Sequence, residues 1–356
     1  MSKDCCIKVM HLLTSNSFSG AENVVCQIID IFRKSFGNKY EMVYVSPKGP
    51  IGEILNNRGV SYFGINKLTP GEVRKAIDEI KPDIVHAHDM RASVVASMST
   101  NLPIISHIHN NNFNSRKISA KSVLYYLCSR KYKHIFWVSK AAFEGFNFHS
   151  KLYDKSTILY NVIDGERIEL LSNEGCQFEK YDIVYLGRLT YPKNPERLIG
   201  IIEKVYQEKN DLKVAIIGNG ELFDDISKLI KEKELSECID MLGFQNNPFP
   251  ILKNAKVLLM SSRWEGTPMC VLEALSLGIP IVSTPADGIA EVISDGVDGY
   301  LSDKDELLAK KALEIINNEK KFSCMSIKAK NKFDNINDID AYAEKLRKTY
   351  EEVCRK

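Results

Sequence analysis

The sequence predicts an α/β protein made of two doubly wound domains, each with a parallel sheet, and three observations carry that expectation. Short runs rich in Val, Ile and Leu recur along the chain and alternate with segments of helical periodicity. The runs are nearly continuous in apolar residues, which marks strands covered by helices on both faces. At 356 residues the chain is long for one hydrophobic core, so two domains facing a cleft are the natural arrangement.

The first series of runs comprises IKVMHLL (7–13), YEMVYVS (40–46), VSYFGI (60–65), DIVHAHD (83–89), PIISHIH (103–109), HIFWVS (134–139) and STILYNV (156–162). Helices are expected between them over 20–36, 71–80 and 118–131, which sets a first domain at 1–162. The segment 163–180 is polar enough to hold the connection. The second series, YDIVYLG (181–187), LKVAIIG (212–218), IDMLGF (239–244), KVLLMSS (256–262) and PIVST (280–284), sets a second domain at 163–337. A terminal helix over 338–356 is free to pack on either domain, including back on the first. No repeat or low-complexity tract interrupts the pattern.

A net charge of +2 and 44% hydrophobic residues suit a globular protein and do not point to nucleic acid. The nine cysteines form no C-x-x-C pair, so reduced thiols in a cytoplasmic setting are expected. The opening MSKDCCIKVMHLL has too short an apolar run for a signal peptide, and no segment approaches a membrane span. Charge is less even than its total. From Met90 to Phe143 there is no Asp or Glu, while Arg91, Arg116, Lys117, Lys121, Arg130, Lys131, Lys133 and Lys140 are all cationic. That stretch reads equally as the solvated rim of a core helix or as a surface for anionic lipid or substrate.

Ligands of open parallel sheets bind beyond the carboxyl ends of the strands, so the loops there matter most. In EGTPMCVLEALSLG (265–278), Thr267 is the expected N-cap, Pro268 the first helical residue and Gly278 the stop. A helix start after a buried strand favours an anion, which the N–H groups of Thr267, Met269 and Cys270 are placed to hold. Two carboxylates, Glu265 and Glu273, flank this start and suit hydroxyl groups beside a bound phosphate. In GRLTYPKNPERL (187–198), Arg188 and Lys193 follow another strand and match the charge of a diphosphate. The pairs His86/His88 and His107/His109 each share a strand face, yet Asp89 alone supplies a further ligand type nearby, so no metal is expected there. The D-x-D formed by Asp338 and Asp340 opens the terminal helix, the wrong context for a donor-site metal.

The run S-x-x-E-G-T-P-x-x-V-L-E-A-L-x-x-G-I-P-I-V-S-T, followed by GIAEVI and DGVDGYL, resembles the nucleotide-sugar-binding domain of the retaining glycosyltransferases of family 4, which have the GT-B fold. YLGRLTYPKNPERLI, IIGNGE, MLGF and the early SGAENVV extend the resemblance over about residues 7 to 302 in the same order. It implies transfer of a sugar from a nucleoside-diphosphate sugar to an acceptor hydroxyl with retained configuration. The commonest setting is assembly of bacterial surface polysaccharide or lipid-linked oligosaccharide. A saccharide or lipid-linked acceptor comes with it; peripheral contact with the anionic inner face of the plasma membrane is expected from the basic stretch Met90 to Phe143, and no cofactor or metal requirement from the two cations and helix start that stand in for a metal.

By the same resemblance Glu273 holds the donor ribose, Arg188 and Lys193 its diphosphate, and Glu265 the hydroxyls of the transferred sugar. Gly266, Thr267, Met269 and Cys270 line the donor. Phe244 lies where the family holds the nucleobase, although a core Phe reads almost as well. In the first domain the Gly20 loop approaches the ligand and His109 lines the reaction centre, so that Arg188, Lys193, Glu265 and His109 form the expected catalytic set. Two departures stand out: Ser19 and Asp287 occupy positions where the family usually has glycine. Ser19 and Glu22 also spell a capping box. A GT-B epimerase or phosphorylase and a non-catalytic nucleotide-sugar-binding protein are the alternatives. A dinucleotide-dependent oxidoreductase is weaker, because GNGELF (218–223) has Phe223 where the third glycine of that fingerprint belongs.

Overall fold

All the expected strands form, and one more joins them. In the computed structural model, which describes residues 6–109, 116–174 and 179–355, the first sheet contains β1 (Ile7–Leu12), β2 (Tyr40–Pro47), β3 (Tyr62–Ile65), β4 (Ile84–Ala87), β5 (Ile104–Ile108), β6 (Tyr132–Trp137) and β7 (Ser156–Ile158). The second contains β8 (Tyr181–Leu186), β9 (Val214–Ile217), β10 (Ile239–Gly243), β11 (Ala255–Met260), β12 (Ile281–Ser283) and β13 (Gly299–Leu301). β13 is only three residues long and too short to carry a period of its own.

The strand orders are β3-β2-β1-β4-β5-β6-β7 and β10-β9-β8-β11-β12-β13, with parallel pairing throughout. Each order reverses direction once, at β1/β4 and at β8/β11, and there the loops diverge to leave room for a ligand. The chain divides into a unit of residues 1–162 with 338–356 and a unit of residues 163–337. Met10, Val45, Val85 and Trp137 are fully buried in the first core, and Ile183, Tyr185, Ile199 and Val214 in the second. Each such side chain contributes about 1.5–3 kcal/mol by leaving water.

The helices follow local signals with a few differences. Gly20–Phe36 matches its expected span, and Pro70–Ile80 starts behind Thr69, whose side chain accepts from Glu72 N. The helix expected over 118–131 is a shorter α-helix, Ala120–Cys128, behind a Ser119 capping box, continued by a 3-10 turn at Ser129–Lys131. The polar segment after Ile163 is partly helical, at Gly165–Ser172, because Asp164 caps it by accepting from Arg167 N at 3.0 Å. The terminal helix Ile339–Cys354 belongs to the first unit, where Tyr350 is fully buried with its ring 5.4 Å from that of Phe32.

Two expected caps are not made. Ser19 donates to the side chain of Glu22, so its oxygen makes no bond to the helix backbone and the capping box does not form. The helix after β11 begins at Met269, with Pro268 at the N-cap and Thr267 one residue outside it. Pro268 has φ −70° and ψ 124°, so its carbonyl turns into the helix without the residue itself being helical. The helix ends at Ser276, and Gly278 follows at φ 71°.

Candidate active site

The loops after β8 and β11 lie side by side because those strands are neighbours at the second sheet's switch point. Lys193, on the first loop, places Nζ 2.6 Å from Glu265 Oε1 on the second. Ser262 Oγ donates to the same carboxylate oxygen at 2.6 Å. Only 18% of the Lys193 side chain and 8% of that of Glu265 reach solvent. Burial pushes the Lys193 ammonium down, but the Glu265 carboxylate more than offsets it and the group ends above the ordinary lysine value.

The loop carrying Lys193 is held from β11. Asn194 takes a left-handed conformation (φ 55°, ψ 54°), which starts the helix Pro195–Glu208. Ser261 Oγ donates to the carbonyls of Asn194 (2.9 Å) and Lys193 (3.2 Å). Arg263 N donates to the Pro192 carbonyl at 2.8 Å, and its guanidinium donates to Asn194 Oδ1 at 2.7 Å and to the Tyr191 carbonyl at 3.2 Å. The same guanidinium lies 4.4 Å from the centre of the Tyr191 ring. Arg263 was not anticipated from sequence; the signal was its place two residues before Glu265, on a loop already suspected.

Arg188 is exposed directly beyond β8, with its carbonyl accepting from Tyr185 Oη at 2.8 Å. The glycines of the GNG run serve this loop: a Cβ on Gly218 would stand 2.0 Å from the Gly187 carbonyl oxygen, and one on Gly220 2.2 Å from that of Leu189. They permit two backbones to touch, which explains the run without a dinucleotide.

At the helix start, Met269 and Cys270 contribute first-turn N–H groups, which have no acceptor within their own helix. Burial pushes the Cys270 thiol up to about 12, so it is a neutral lining group. Glu273 sits on the second turn and is partly exposed. Gly266 packs against Gly288, where a Cβ would be 1.4 Å from the Gly266 carbonyl oxygen. The preceding Asp287 adopts φ 41° and ψ −112°, a conformation that glycine takes freely and aspartate takes under strain. Thus Arg188, Lys193, Glu265, Gly266, Thr267, Met269 and Cys270 gather at the ends of β8 and β11. Phe244 follows β10 and is 53% exposed, so it is not a core residue.

Gly20 and His109 belong to the first unit. A Cβ on Gly20 would meet nothing within 4 Å, so this glycine is not required by any protein neighbour. His109 follows β5, with Nε2 3.0 Å from His88 Nδ1. The two H-x-H pairs converge, and His11 on β1, in register with His86, joins them. His11 had no H-x-H partner in sequence, and only the β1–β4 pairing reveals it. Burial lowers the pKa of all five imidazoles, to about 3 for His11 and His109, so they are neutral near pH 7.

Comparison with known proteins identifies the family. Residues 18–167 match the family described as Glycosyltransferase Family 4, and residues 169–332 that described as Glycosyl transferases group 1. The chain is 32% identical over 288 residues, 70% of each chain, to an uncharacterized glycosyltransferase of Methanocaldococcus jannaschii. It is 26% identical over 384 residues, 97% of this chain and 96% of the other, to the UDP-Gal:alpha-D-GlcNAc-diphosphoundecaprenol alpha-1,3-galactosyltransferase of Escherichia coli. Among solved structures, Anabaena HepE in complex with UDP-glucose superposes with a TM-score of 0.82 at 18% identity, covering 97% of this chain and all of that one. With two parallel α/β sheets and these relatives, the chain belongs to the family 4 glycosyltransferases of GT-B fold.

Proposed function

We propose that this glycosyltransferase moves a sugar from a nucleoside-diphosphate sugar to an acceptor hydroxyl with retention of anomeric configuration. The observation that carries the reading is the buried Lys193–Glu265 pair beside Arg188 and the Met269 helix start, all at one switch point. As the sugar–phosphate bond breaks, negative charge grows on the departing diphosphate. Arg188, Lys193 and the helix N–H groups meet that charge, doing the work a divalent ion does in other transferases. Glu265, fixed by Lys193 and Ser262, has its second oxygen for the hydroxyls of the transferred sugar. Glu273 takes the ribose hydroxyls, and the exposed Phe244 ring offers a face to the base.

The relatives named above support a uridine diphosphate donor and a polysaccharide or lipid-linked acceptor. In the first unit, His109 acts as a neutral hydrogen-bonding group, since a ring with a pKa of about 3 carries no proton to give as an imidazolium. Among the described residues no helix is long and apolar enough to cross a membrane. We place acceptor-side or lipid contact on the basic stretch around the helix Ala120–Cys128, where Leu124 and Leu127 are about half exposed and Lys121 is exposed.

Incubating the protein with a panel of nucleotide sugars and an acceptor lipid extract, and following release of nucleoside diphosphate, tests the reading. Acceptor-dependent release from a UDP-sugar is expected, with an α-linked product by NMR. Absence of release from every donor sinks the catalytic reading, and a β-linked product from an α-linked donor sinks retention.

A further inference from the structure

We infer that His11, His86 and His88 form a binding site for a borderline transition-metal ion such as Zn2+ or Co2+, inside the first unit. The three side chains are 0–1% exposed, on neighbouring strands β1 and β4, and each offers a ring nitrogen within 4.8 Å of the others. Two of the rings are already oriented as metal-bound imidazoles are, with the remote nitrogen tied back to a second partner. His86 Nδ1 is 2.7 Å from Tyr350 Oη, which leaves Nε2 for a ligand. His88 Nδ1 is 3.0 Å from His109 Nε2, which turns its Nε2 toward His11 Nδ1 at 2.9 Å.

An unpartnered buried nitrogen argues for a ligand: His86 Nε2 is enclosed and makes no hydrogen bond, whereas a buried polar atom is normally paired. Three imidazoles cannot satisfy one another fully, because each neutral ring has one donor and one acceptor and the His86 donor–acceptor axis points at Tyr350 on one side only. An ion accepts the lone pairs directly. Binding through His11 Nδ1 requires only that the hydrogen shared with His88 move to His11 Nε2, so the rings stay neutral and no proton is lost.

The donor set fixes the kind of ion. Nitrogen ligands without carboxylate or thiolate suit zinc, cobalt, nickel or copper and offer little to Mg2+ or Ca2+, which need oxygen. Three protein ligands leave one tetrahedral position open, as in three-histidine zinc centres. Tyr350 sits on the terminal helix Ile339–Cys354, so the ion would also tie that helix, through His86, to the sheet it packs against.

The test titrates the metal-freed full chain with Co2+ alone and then with Zn2+, at neutral pH. One equivalent of Co2+ is expected, with the visible bands of four-coordinate cobalt and no near-ultraviolet thiolate band, displaced by Zn2+. His88→Gln should weaken binding by about 100-fold or more, while His134→Gln/His149→Gln, which removes the two histidines that stand apart from the five converging imidazoles, should bind as wild type. No stoichiometric binding at micromolar Co2+, a thiolate band, or full binding by folded His88→Gln overturns the site. Should His88→Gln fail to fold, the wild-type stoichiometry and spectrum decide the matter alone. None of these readouts depends on glycosyl transfer.

Discussion

Lys193 and Glu265 meet at 2.6 Å across 72 residues of sequence, one on the loop after β8 and the other on the loop after β11. The pair is nearly buried, so removing either partner leaves a charge with poor solvation, at a cost of about 3–5 kcal/mol for fully buried pairs. The Lys193 pKa is raised, so its contribution to stability is fully present below the ordinary lysine value and is lost as pH rises through the higher folded value. Near neutrality the ammonium is therefore charged and held still, which is the state a leaving diphosphate requires.

Lys193→Ala and Arg188→Ala should each lower kcat by about 100-fold, because in the proposed mechanism both cations face charge that develops mainly in the transition state. Steady-state kinetics on folded variants check this. Unchanged kcat in both would mean that the diphosphate is bound elsewhere.

Glu265→Gln should lower the Tm of the free protein by leaving Lys193 without its carboxylate. Added nucleoside diphosphate supplies negative charge to the same ammonium, so the ligand-induced rise in Tm should be larger in the variant than in wild type. A smaller rise would show that Lys193 does not contact the diphosphate.

Glu273→Ala should act chiefly on donor KM. Its place on the second turn of the helix Met269–Ser276 suits hydroxyls that are bound equally in ground and transition states. A fall in kcat at unchanged KM contradicts the ribose assignment.

Turnover should not depend on added Mg2+ or Mn2+. In the proposed site two cations and a helix start stand where a hard divalent ion would act, and the D-x-D of Asp338 and Asp340 is spent elsewhere: Asp338 caps the terminal helix by accepting from Ala341 N at 2.8 Å. Activity that is absent until Mg2+ or Mn2+ is supplied rejects this account.

Strands and helices were legible in the sequence because burial on both faces leaves continuous apolar runs that local pattern alone reveals. β13 was not, since three residues carry no period. The candidate anion site was legible as two separate loops, Arg188–Lys193 and Glu265–Glu273, but their joining by an ion pair depends on β8 and β11 being neighbours, which no local signal encodes. The same holds for His11 beside His86 and for Arg263 clamping Asn194. At Asp287 the departure from the family's glycine was visible in sequence, whereas its positive φ was not.

The cation-rich stretch around the helix Ala120–Cys128 should bind anionic membranes. Ile118, just before the Ser119 cap, is 74% exposed, and Leu124 and Leu127 on the helix are 47% and 50% exposed. Lys121 and Arg130 are exposed in the same region. Near an anionic bilayer each such cation contributes about 1 kcal/mol at modest salt, and the apolar side chains add partial burial in the headgroup region. Lys131 is a poor probe, because its ammonium donates to the Ser97 carbonyl at 2.7 Å and its loss would disturb the fold. Flotation with liposomes of graded phosphatidylserine content should therefore compare wild type with Lys121→Glu/Arg130→Glu and with Leu124→Ser/Leu127→Ser. Binding should rise with anionic lipid, fall with salt, and weaken in both variants. Binding indifferent to lipid charge and to all four substitutions would leave the helix as a solvated rim and make a water-soluble saccharide the acceptor.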